Sequence, residues 1–459
     1  MPSDVVSVDT GQVRGDQRDG HLVFQGVPYA RASRWMPPER AAAWSGVRDT
    51  VTPGSPCPQV GSSYSETRST DEDCLFANVS TPSVTGAKPV MVWIHGDGAI
   101  GAGHFFDAER LARQGDVVVV TFNYRMGVFG GFGLPGLPHS GEFGLLDQRA
   151  ALEWVQRNIS AFGGDPGNVT LFGVSFGATA VGSHLIARRP LFHRAIMHSS
   201  FTLVDVPRGA WYPDLEALPS LAFRPVAEIQ EIGAAIAGEL GCADVSCLRR
   251  LPVSKLLDYP QIMNIFQPVG YGGSVLPRLP GDSLEAGEFL DVPMLVGATR
   301  DEHKSFVELF RPGAMSTEDY SRLVREAFPE RAVEISREYP VSAFASPKDA
   351  WATLLTDRVW ARATFRQNTL YARKAPVYAF EFAAQDAGHS ADIEYLFPED
   401  DFAHDRALSD YMIKTWTDFA RSGTPGWPRF SEGQYVQSLA PGAIGRVDYA
   451  AEHKLAFWG

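Results

Sequence analysis

Gly173-Val174-Ser175-Phe176-Gly177 is the stretch that decides the fold. It follows Val169-Thr170-Leu171-Phe172, a short apolar run typical of a buried strand, and it leads into Gly177-Ala178-Thr179-Ala180, where small residues open a helix. A sharp strand-to-helix turn at Ser175 requires small residues at both glycine positions, because a side chain there would clash. The pentapeptide alone is a weak signal in a chain with 44 glycines among 459 residues. The prediction of a strand-to-helix turn at Ser175 therefore depends on the strand before it and the helix after it.

Strands and helices alternate on both sides of this turn. Pro89–Ile94 and Val117–Phe122 are continuous apolar runs, which predict strands that are covered on both faces. A helical repeat begins near Asp147 and ends before Gly163. Repeated strand-helix-strand alternation predicts an α/β fold with a mostly parallel central sheet flanked by helices.

The second half continues the pattern with an interruption. Residues 201–287 are rich in proline and contain one clear helix, 226–240, so we interpret them as an insertion at the carboxyl-end face of the sheet. Residues 292–298 and 377–382 predict two more strands, and residues 408–421 predict a late helix that ends near a glycine. No repeat or linker interrupts the chain, which predicts one domain over residues 1–459.

Two candidate partners for Ser175 follow it in the chain. A serine hydroxyl needs a base to accept its proton before it can act as a nucleophile. Glu302 lies just after the strand predicted at 292–298, and His389 lies just after the one predicted at 377–382. Both therefore belong to the carboxyl edge of the sheet, and the order serine, acid, histidine is that of the elbow fold. We predict Ser175 as nucleophile, His389 as general base and Glu302 as the acid that orients the histidine.

Composition and charge exclude several classes of function. The chain is 44% hydrophobic and 21% charged, which is ordinary for a globular enzyme. Its formal net charge of -13 disfavours nucleic acid or an anionic membrane as partner, because both carry the same sign. Residues 1–20 lack the apolar run of a signal peptide, and no apolar stretch is long enough to span a bilayer. We expect a cytoplasmic enzyme with a small-molecule substrate, or a secreted one if a leader was removed.

The four cysteines leave their own state open. Cys57, Cys74, Cys242 and Cys247 allow three disulfide connectivities, and free buried thiols are equally compatible with the pattern. No Cys-x-x-Cys spacing occurs and the histidines do not cluster with the cysteines, so a zinc site is not expected. The predicted chemistry requires neither a metal nor an organic cofactor.

Further motifs together resemble the type B carboxylesterases, the group that includes bacterial para-nitrobenzyl esterases and the cholinesterases. The resemblance covers nearly the whole chain. The stretches that carry it are Phe24–Ala30, Glu72–Val79, Val92–Gly96, Asn123–Gly127, Phe162–Thr170, Asp301-Glu302 and His389. It implies an α/β-hydrolase fold and serine esterase activity.

The resemblance also implies roles for residues around the nucleophile. The backbone N–H groups of Asp97, Gly98 and Phe176 would form the oxyanion hole, which stabilises the negative oxygen of the tetrahedral intermediate. Ser199 resembles a serine that supports the triad, and Asp392 resembles a nearby acidic position.

Four residue pairs resemble scaffold features of the same family. Arg34 with Glu72, and Arg149 with Asp165, resemble its structural ion pairs. Cys57 with Cys74 resembles a family disulfide, and Cys242 with Cys247 resembles a second one. The resemblance therefore favours oxidised cysteines.

Asp97 departs from the family pattern, which has three successive glycines where this chain has Gly96-Asp97-Gly98. Its N–H can still donate to the oxyanion hole. A carboxylate about 6 Å from the oxyanion, however, destabilises that negative oxygen by roughly 3 kcal/mol at an effective dielectric of about 20. That corresponds to about a hundredfold in rate. We expect the carboxylate to turn away, to pair with a cation or to be protonated; positioning a water for deacylation is a further hypothesis.

Two other departures concern the substrate. Val174 stands where the family has an acidic residue, which predicts poor turnover of choline esters. Phe176 replaces a small residue beside the nucleophile and narrows the pocket.

The leading prediction is a serine carboxylesterase that hydrolyses uncharged esters through an acyl-serine intermediate. One alternative is a carbamate or amide hydrolase, or an acyl-transfer or cyclising enzyme of specialised metabolism, with the same three residues. A second alternative is an inactive binding protein on the same scaffold. Retention of Ser175, Glu302 and His389 disfavours that last reading.

Overall fold

The computed structural model describes residues 4–18, 20–61, 68–385, 387–398 and 404–459. Its strands are β1 Val5–Val8, β2 Gly11–Arg14, β3 Asp16–Arg18, β4 His21–Pro28, β5 Ala30–Arg31, β6 Glu39–Arg40, β7 Val47–Asp49, β8 Phe76–Thr81, β9 Lys88–Ile94, β10 Val118–Phe122, β11 Gly164–Val174, β12 Arg194–His198, β13 Phe223–Pro225, β14 Val269–Tyr271, β15 Met294–Thr299, β16 Val377–Phe382, β17 Val436–Leu439 and β18 Gly445–Val447.

Helices connect these strands. They are α1 Glu109–Gly115, α2 Gly127–Gly131, α3 Phe143–Asn158, α4 Phe176–Ala187, α5 Val226–Glu239, α6 Val245–Arg250, α7 Val253–Leu257, α8 Ile262–Ile265, α9 Pro280–Glu285, α10 Glu302–Phe310, α11 Thr317–Ala327, α12 Ala332–Glu338, α13 Pro347–Leu355, α14 Arg362–Ala372, α15 Arg406–Ser422, α16 Tyr449–Glu452 and α17 Leu455–Trp458. A π-helical segment, Thr356–Ala361, joins α13 to α14. Short 3-10 turns lie at Gly103–Phe105, Ile159–Phe162, Val341–Ala343 and Ile393–Tyr395.

An eleven-stranded sheet organises the molecule, in the order β18-β17-β16-β15-β12-β11-β9-β10-β8-β4-β3. The seven strands from β17 to β10 run parallel, and antiparallel strands extend both edges. Apolar residues on both faces of the central strands are buried, as their unbroken apolar runs predict. The predicted α/β class and mostly parallel sheet are confirmed.

The parallel strands bring their carboxyl ends to one edge of the sheet. The turn at residues 95–98 follows β9, and Ser175 follows β11. Glu302 comes after β15 and His389 comes after β16. The fold therefore gathers residues from distant parts of the chain at this edge.

The chain between β12 and β15 contains only short elements apart from α5. Its strands β13 and β14 pair in parallel as a separate two-stranded sheet, and α6 to α9 each span four to six residues. This stretch contains the segment 201–287 that the sequence marks as an insertion.

One predicted ion pair forms and the other does not. Arg34 donates two hydrogen bonds to the Glu72 carboxylate, at 2.8 and 2.5 Å. The predicted pair of Arg149 with Asp165 is wrong: the two described side chains form no ion pair, and Asp165 accepts the Gly167 N–H at 2.8 Å within its own turn. The carboxylates whose charge acts on Arg149 are those of Glu153 and Glu142 instead.

A buried ion pair that sequence reasoning missed joins Arg125 to Asp147. Two guanidinium nitrogens of Arg125 lie 2.7 Å from the carboxylate oxygens of Asp147, and both side chains are almost fully buried. The bidentate geometry offsets the cost of removing both charges from water. The pair ties the loop after β10 to α3.

Both disulfides implied by the family resemblance are present. Cys57 is bonded to Cys74, and Cys242 is bonded to Cys247. Across the described residues, no helix is long and apolar enough to cross a membrane.

Candidate active site

Ser175 occupies the sharp turn between β11 and α4. Its backbone φ of 60° lies in the left-handed region, which a residue with a side chain adopts at a cost. A Cβ atom at Gly173 would lie 2.7 Å from the carbonyl oxygen of Ile94, and one at Gly177 would lie 2.1 Å from the same oxygen. The two glycines let the turn pass directly against β9, which explains their presence on either side of Ser175.

Ser175, His389 and Glu302 form one hydrogen-bonded chain. The Oγ of Ser175 lies 2.9 Å from Nε2 of His389. The Nδ1 of His389 lies 2.6 Å from Oε2 of Glu302. An ionised carboxylate can only accept, so Nδ1 carries the proton and Nε2 is free to accept the serine proton. The structure thus brings the three predicted residues together.

Several contacts fix the position of the Glu302 carboxylate. Its second oxygen, Oε1, accepts the Thr299 N–H at 2.9 Å, and the side chain is fully buried. Glu302 is also the first residue of α10, where the helix dipole favours a negative charge. The carboxylate is therefore held in one position opposite the imidazole.

Aromatic rings enclose the imidazole of His389. The ring centroids of Phe306 and Trp360 each lie 4.8 Å from that of His389, and the centroid of Phe201 lies 5.7 Å away. His303 holds Trp360 in place by accepting its indole N–H at 3.1 Å. Burial lowers the pKa of His303 to about 4, so this histidine stays neutral and supports the wall.

The turn after β9 carries two of the three predicted oxyanion-hole donors. The N–H of Asp97, and the N–H of Phe176 at the start of α4, have no acceptor among the described residues. The Gly98 N–H instead donates to the carbonyl of Gly96 at 3.0 Å. Two of the predicted donors are thus available, and the third is already engaged within the turn.

The Asp97 carboxylate folds back onto its own loop. Its Oδ1 accepts the N–H groups of Ala99 and Ile100, both at 2.9 Å. Burial raises the pKa of Asp97, and these two hydrogen bonds oppose that shift. The partners of the carboxylate are therefore backbone amides of its own loop, and no cation pairs with it among the described residues.

Of the two residues expected to support the triad, Ser199 makes no side-chain hydrogen bond among the described residues, whereas Asp392 makes one. Ser199 is fully buried, and its Oγ has no hydrogen-bond partner among the described residues, so the structure does not connect it to the triad. Asp392 lies 2.5 Å from Nδ1 of His198, and the Nε2 of that histidine accepts the Trp416 indole N–H at 2.9 Å. His198 also accepts the Ser175 N–H through its carbonyl, at 2.9 Å. Sequence reasoning missed His198, because no motif marks it.

A small cavity adjoins the oxyanion turn. Its volume is about 40 Å³, and Gly98, Tyr124, Phe176, Phe266 and Gln267 are among the residues that line it. Gln267 and Phe176 approach Gly98 so closely that an added Cβ there would lie 3.1 and 3.2 Å from them. Phe176 and Gln267 thus leave little space around Gly98, and narrowing of the substrate pocket by Phe176 stays a prediction.

Metal coordination has no visible basis in this site. Across the described ranges, no group of three or more histidine, cysteine, aspartate or glutamate side chains is arranged to hold a metal ion.

The parallel sheet, the strained serine turn at its carboxyl edge and the histidine that follows β16 define the class of α/β-hydrolases. The profile of the carboxylesterase family matches residues 2–440. The chain belongs to the carboxylesterase family.

Individual relatives match over nearly their full length. Para-nitrobenzyl esterase of Bacillus subtilis (strain 168) is 31% identical over 476 residues, covering 94% of this chain and 94% of that protein. Pyrethroid hydrolase Ces2e of Rattus norvegicus is 31% identical over 527 residues, covering 99% and 89%. Fumonisin B1 esterase of Sphingopyxis macrogoltabida is 32% identical over 488 residues, covering 94% and 85%. The protein is accordingly a carboxylesterase that acts on small-molecule esters.

Proposed function

We propose that the protein hydrolyses uncharged carboxylic esters through an acyl-enzyme on Ser175. The observation that carries this proposal is the position of His389, which lies within hydrogen-bonding distance of both Ser175 and Glu302, at 2.9 and 2.6 Å. His389 accepts the serine proton as Oγ attacks the ester carbonyl, and Glu302 stabilises the imidazolium that results.

The reaction then proceeds in two halves. The N–H groups of Asp97 and Phe176 stabilise the negative oxygen of the first tetrahedral intermediate, and the amino-terminal end of α4 adds its dipole. His389 gives its proton to the leaving alcohol, and the acyl group remains on Ser175. Water then repeats the sequence and releases the acid.

The site's charge and surface favour an uncharged ester. Val174, next to the nucleophile, is buried at 5% exposure and places no carboxylate there to attract a cation. The rings of Phe201, Phe306 and Trp360 present an apolar wall beside His389. We therefore expect choline esters to be turned over poorly, compared with neutral esters of the same acyl chain.

The insertion at 201–287 is proposed to act as a cap within a single domain. It supplies Phe201 to the wall around His389, and the ring of its Trp211 lies 4.3 Å from that of Phe306. It also supplies Gln267, which donates to the carbonyl of Asp97. These contacts couple the segment to the catalytic edge of the sheet.

The place of action and the partners are also proposals. The two disulfide bonds favour an oxidising compartment, in contrast to the cytoplasm that the sequence led us to expect. The net charge of -13 supports a small-molecule substrate without a nucleic-acid or anionic-membrane partner.

Covalent labelling tests the proposed nucleophile. A fluorophosphonate probe should label the protein at one site, and peptide mapping should place the adduct on Ser175. Ser175→Ala should not be labelled, whereas Ser200→Ala, which removes another buried serine hydroxyl, should be labelled as the wild type is. Labelling of Ser175→Ala at the wild-type rate would contradict the proposal.

A further inference from the structure

The loop that follows β9 contains an unusual turn. The Gly98 N–H donates to the carbonyl of Gly96 at 3.0 Å, which closes a three-residue turn with Asp97 at its centre. The φ of Asp97 is 69°, in the left-handed region. Turns of this form are rare and strained even for favourable residues, and a residue with a Cβ adopts them only when its surroundings impose them. Contacts within or around this loop must therefore keep the backbone of Asp97 in its left-handed conformation.

The side chain of Asp97 supplies one such restraint. Its Oδ1 accepts the N–H groups of Ala99 and Ile100, both at 2.9 Å. Neither N–H has another acceptor among the described residues. One carboxylate oxygen thus connects the central residue of the turn to Ala99 and Ile100, which follow the turn. It also satisfies two backbone donors that would otherwise lack a partner.

A second restraint acts on the backbone of the same residue. The side-chain amide nitrogen of Gln267, Nε2, donates to the backbone carbonyl oxygen of Asp97. This carbonyl and the Gly98 N–H belong to one peptide group, so that group is held on both sides. The free N–H of Asp97 lies directly before it, and its direction depends on the φ that these contacts maintain.

We propose that the Asp97 carboxylate is a positioning group, which holds the oxyanion turn in the shape that presents the Asp97 N–H to the reacting carbonyl. This inference rests on the proposed function, because it assigns that N–H to the oxyanion hole. Where the family pattern that this sequence resembles has a glycine, this chain has a side chain that fixes its own backbone. The carboxylate acts by accepting two hydrogen bonds, and its negative charge is incidental.

This role predicts that an amide can replace the carboxylate. The Oδ1 atom of Asp97→Asn can accept the same two N–H groups, so its kcat should stay within about threefold of the wild type. Asp97→Ala removes the acceptor, and its kcat should fall about a hundredfold or more with KM changed less than threefold, as when one oxyanion donor is lost. Affinity for a trifluoromethyl ketone, which forms a tetrahedral adduct, should fall by the same factor as kcat.

A matched control separates this effect from general strain. Asp116 also adopts a left-handed φ, of 46°, at the end of α1 and away from the active site. Asp116→Ala should keep the wild-type kcat. The rates of acylation and deacylation, measured by stopped flow with para-nitrophenyl acetate, should both fall in Asp97→Ala, because both steps pass through an oxyanion.

Three outcomes would overturn the inference. Asp97→Ala with the wild-type kcat would show that the carboxylate positions nothing. Asp97→Asn as slow as Asp97→Ala would show that the charge matters. Slowing of deacylation alone would point to a water-positioning role instead.

Amide hydrogen exchange tests the inference independently of activity. The N–H groups of residues 99 and 100 should exchange more slowly in the wild type and in Asp97→Asn than in Asp97→Ala, with the protection of β9 unchanged. Equal exchange in all three proteins would contradict the restraint itself. Ester hydrolysis that survives in Ser175→Ala would instead contradict the proposed function and leave the exchange result standing.

Discussion

A single buried side chain, Glu302, determines which nitrogen of the His389 imidazole carries the proton. It is fully buried, and its two oxygens accept from His389 Nδ1 and from the Thr299 N–H. Neither oxygen is left without a partner, so the carboxylate holds the imidazole in the tautomer that leaves Nε2 free for Ser175.

Replacing this carboxylate by an amide should remove the control of the tautomer. We expect Glu302→Gln to lower kcat by about 10³- to 10⁴-fold with little change in KM, because an amide group can present its N–H to Nδ1. Asp301→Asn is the matched control, since Asp301 pairs with the neighbouring Arg300 instead. Steady-state kinetics with a para-nitrophenyl ester measure both. A Glu302→Gln enzyme with wild-type kcat would contradict the assigned role.

Phe176 directly follows Ser175 in the chain, and we propose that its ring limits the length of the acyl group. It is 9% exposed, lines the 40 Å³ cavity beside Gly98 and packs against Phe201 at a centroid distance of 5.0 Å. Its N–H is independent of its side chain, so the ring can be removed without removing a donor.

Removal of that ring should shift the chain-length preference. A hexanoate ester has two methylenes more than a butyrate ester, and burial of each methylene contributes about 0.8 kcal/mol. If Phe176→Ala makes room for both, the ratio of kcat/KM for hexanoate to kcat/KM for butyrate should rise by about 15-fold. The ratio is measured on one preparation and does not depend on the folded fraction. Phe192→Ala, which removes a buried ring outside the cavity, should leave the ratio unchanged. An unchanged ratio in Phe176→Ala would show that the acyl group lies elsewhere.

At the scale of elements, the sequence predicts long, two-sided strands well and short pieces poorly. β9 and β16 were predicted within a residue of their bounds, because burial on both faces makes their apolar runs continuous. The two-residue strands β5 and β6, and the π-helical segment Thr356–Ala361, carry no periodic signal. Their conformations are set by packing against distant parts of the chain.

The same distinction applies to the site. The positions of Ser175, Glu302 and His389 at the carboxyl edge of the sheet were predictable because each follows a recognisable strand, and their catalytic roles stay predictions. His198 and Gln267 were not predictable, because their contacts with Asp392 and Asp97 span 194 and 170 positions along the chain.

The contact of His198 with Asp392 joins two elements of the site. His198 ends β12 and accepts the Ser175 N–H, whereas Asp392 lies three residues beyond His389 in the loop after β16. Both side chains are fully buried, and Trp416 of α15 donates to the second nitrogen of His198. The pair therefore links β12, whose last residue accepts the Ser175 N–H, to the loop that carries His389.

Breaking this pair should weaken both stability and catalysis. Asp392→Ala should lower the free energy of unfolding by about 3 kcal/mol or more, because it leaves a buried donor without an acceptor. It should also lower kcat more than it changes KM. Asp392→Asn retains an acceptor for Nδ1 and should show a smaller effect on both. Urea unfolding followed by tryptophan fluorescence measures the first quantity, and an Asp392→Ala protein as stable as the wild type would contradict the link.

At the scale of the whole molecule, a buried histidine near the carboxyl end holds distant segments together. Nδ1 of His453 lies 2.7 Å from Asp357 of the π-helical segment, and Nε2 lies 2.6 Å from Glu381 of β16. Burial alone would lower the pKa of His453, but its hydrogen bonds to the two carboxylates, and their negative charges, raise it to about 10. The charged imidazole thus cross-links the end of the chain to the sheet.

This cross-link makes stability depend on alkaline pH. Because the folded pKa lies above the unfolded one, the stabilisation is complete below about pH 6.5 and is lost as the pH rises through about 10. Between pH 7 and pH 10 the wild type should lose on the order of 3 kcal/mol more unfolding free energy than His453→Gln, whose side chain does not titrate. Denaturant unfolding at the two pH values measures the difference, and equal losses would contradict a charged His453.

The most direct test of the central claim is the pre-steady-state hydrolysis of para-nitrophenyl butyrate by the wild type and by Ser175→Ala. If Ser175 forms the acyl-enzyme and deacylation is the slower step, the wild type should release a burst of about one nitrophenol per active site and then turn over steadily. Ser175→Ala should show no burst and a rate about 10⁵- to 10⁶-fold lower. A burst of equal size in Ser175→Ala, or steady hydrolysis that survives the substitution, would contradict the assignment of this serine as the nucleophile.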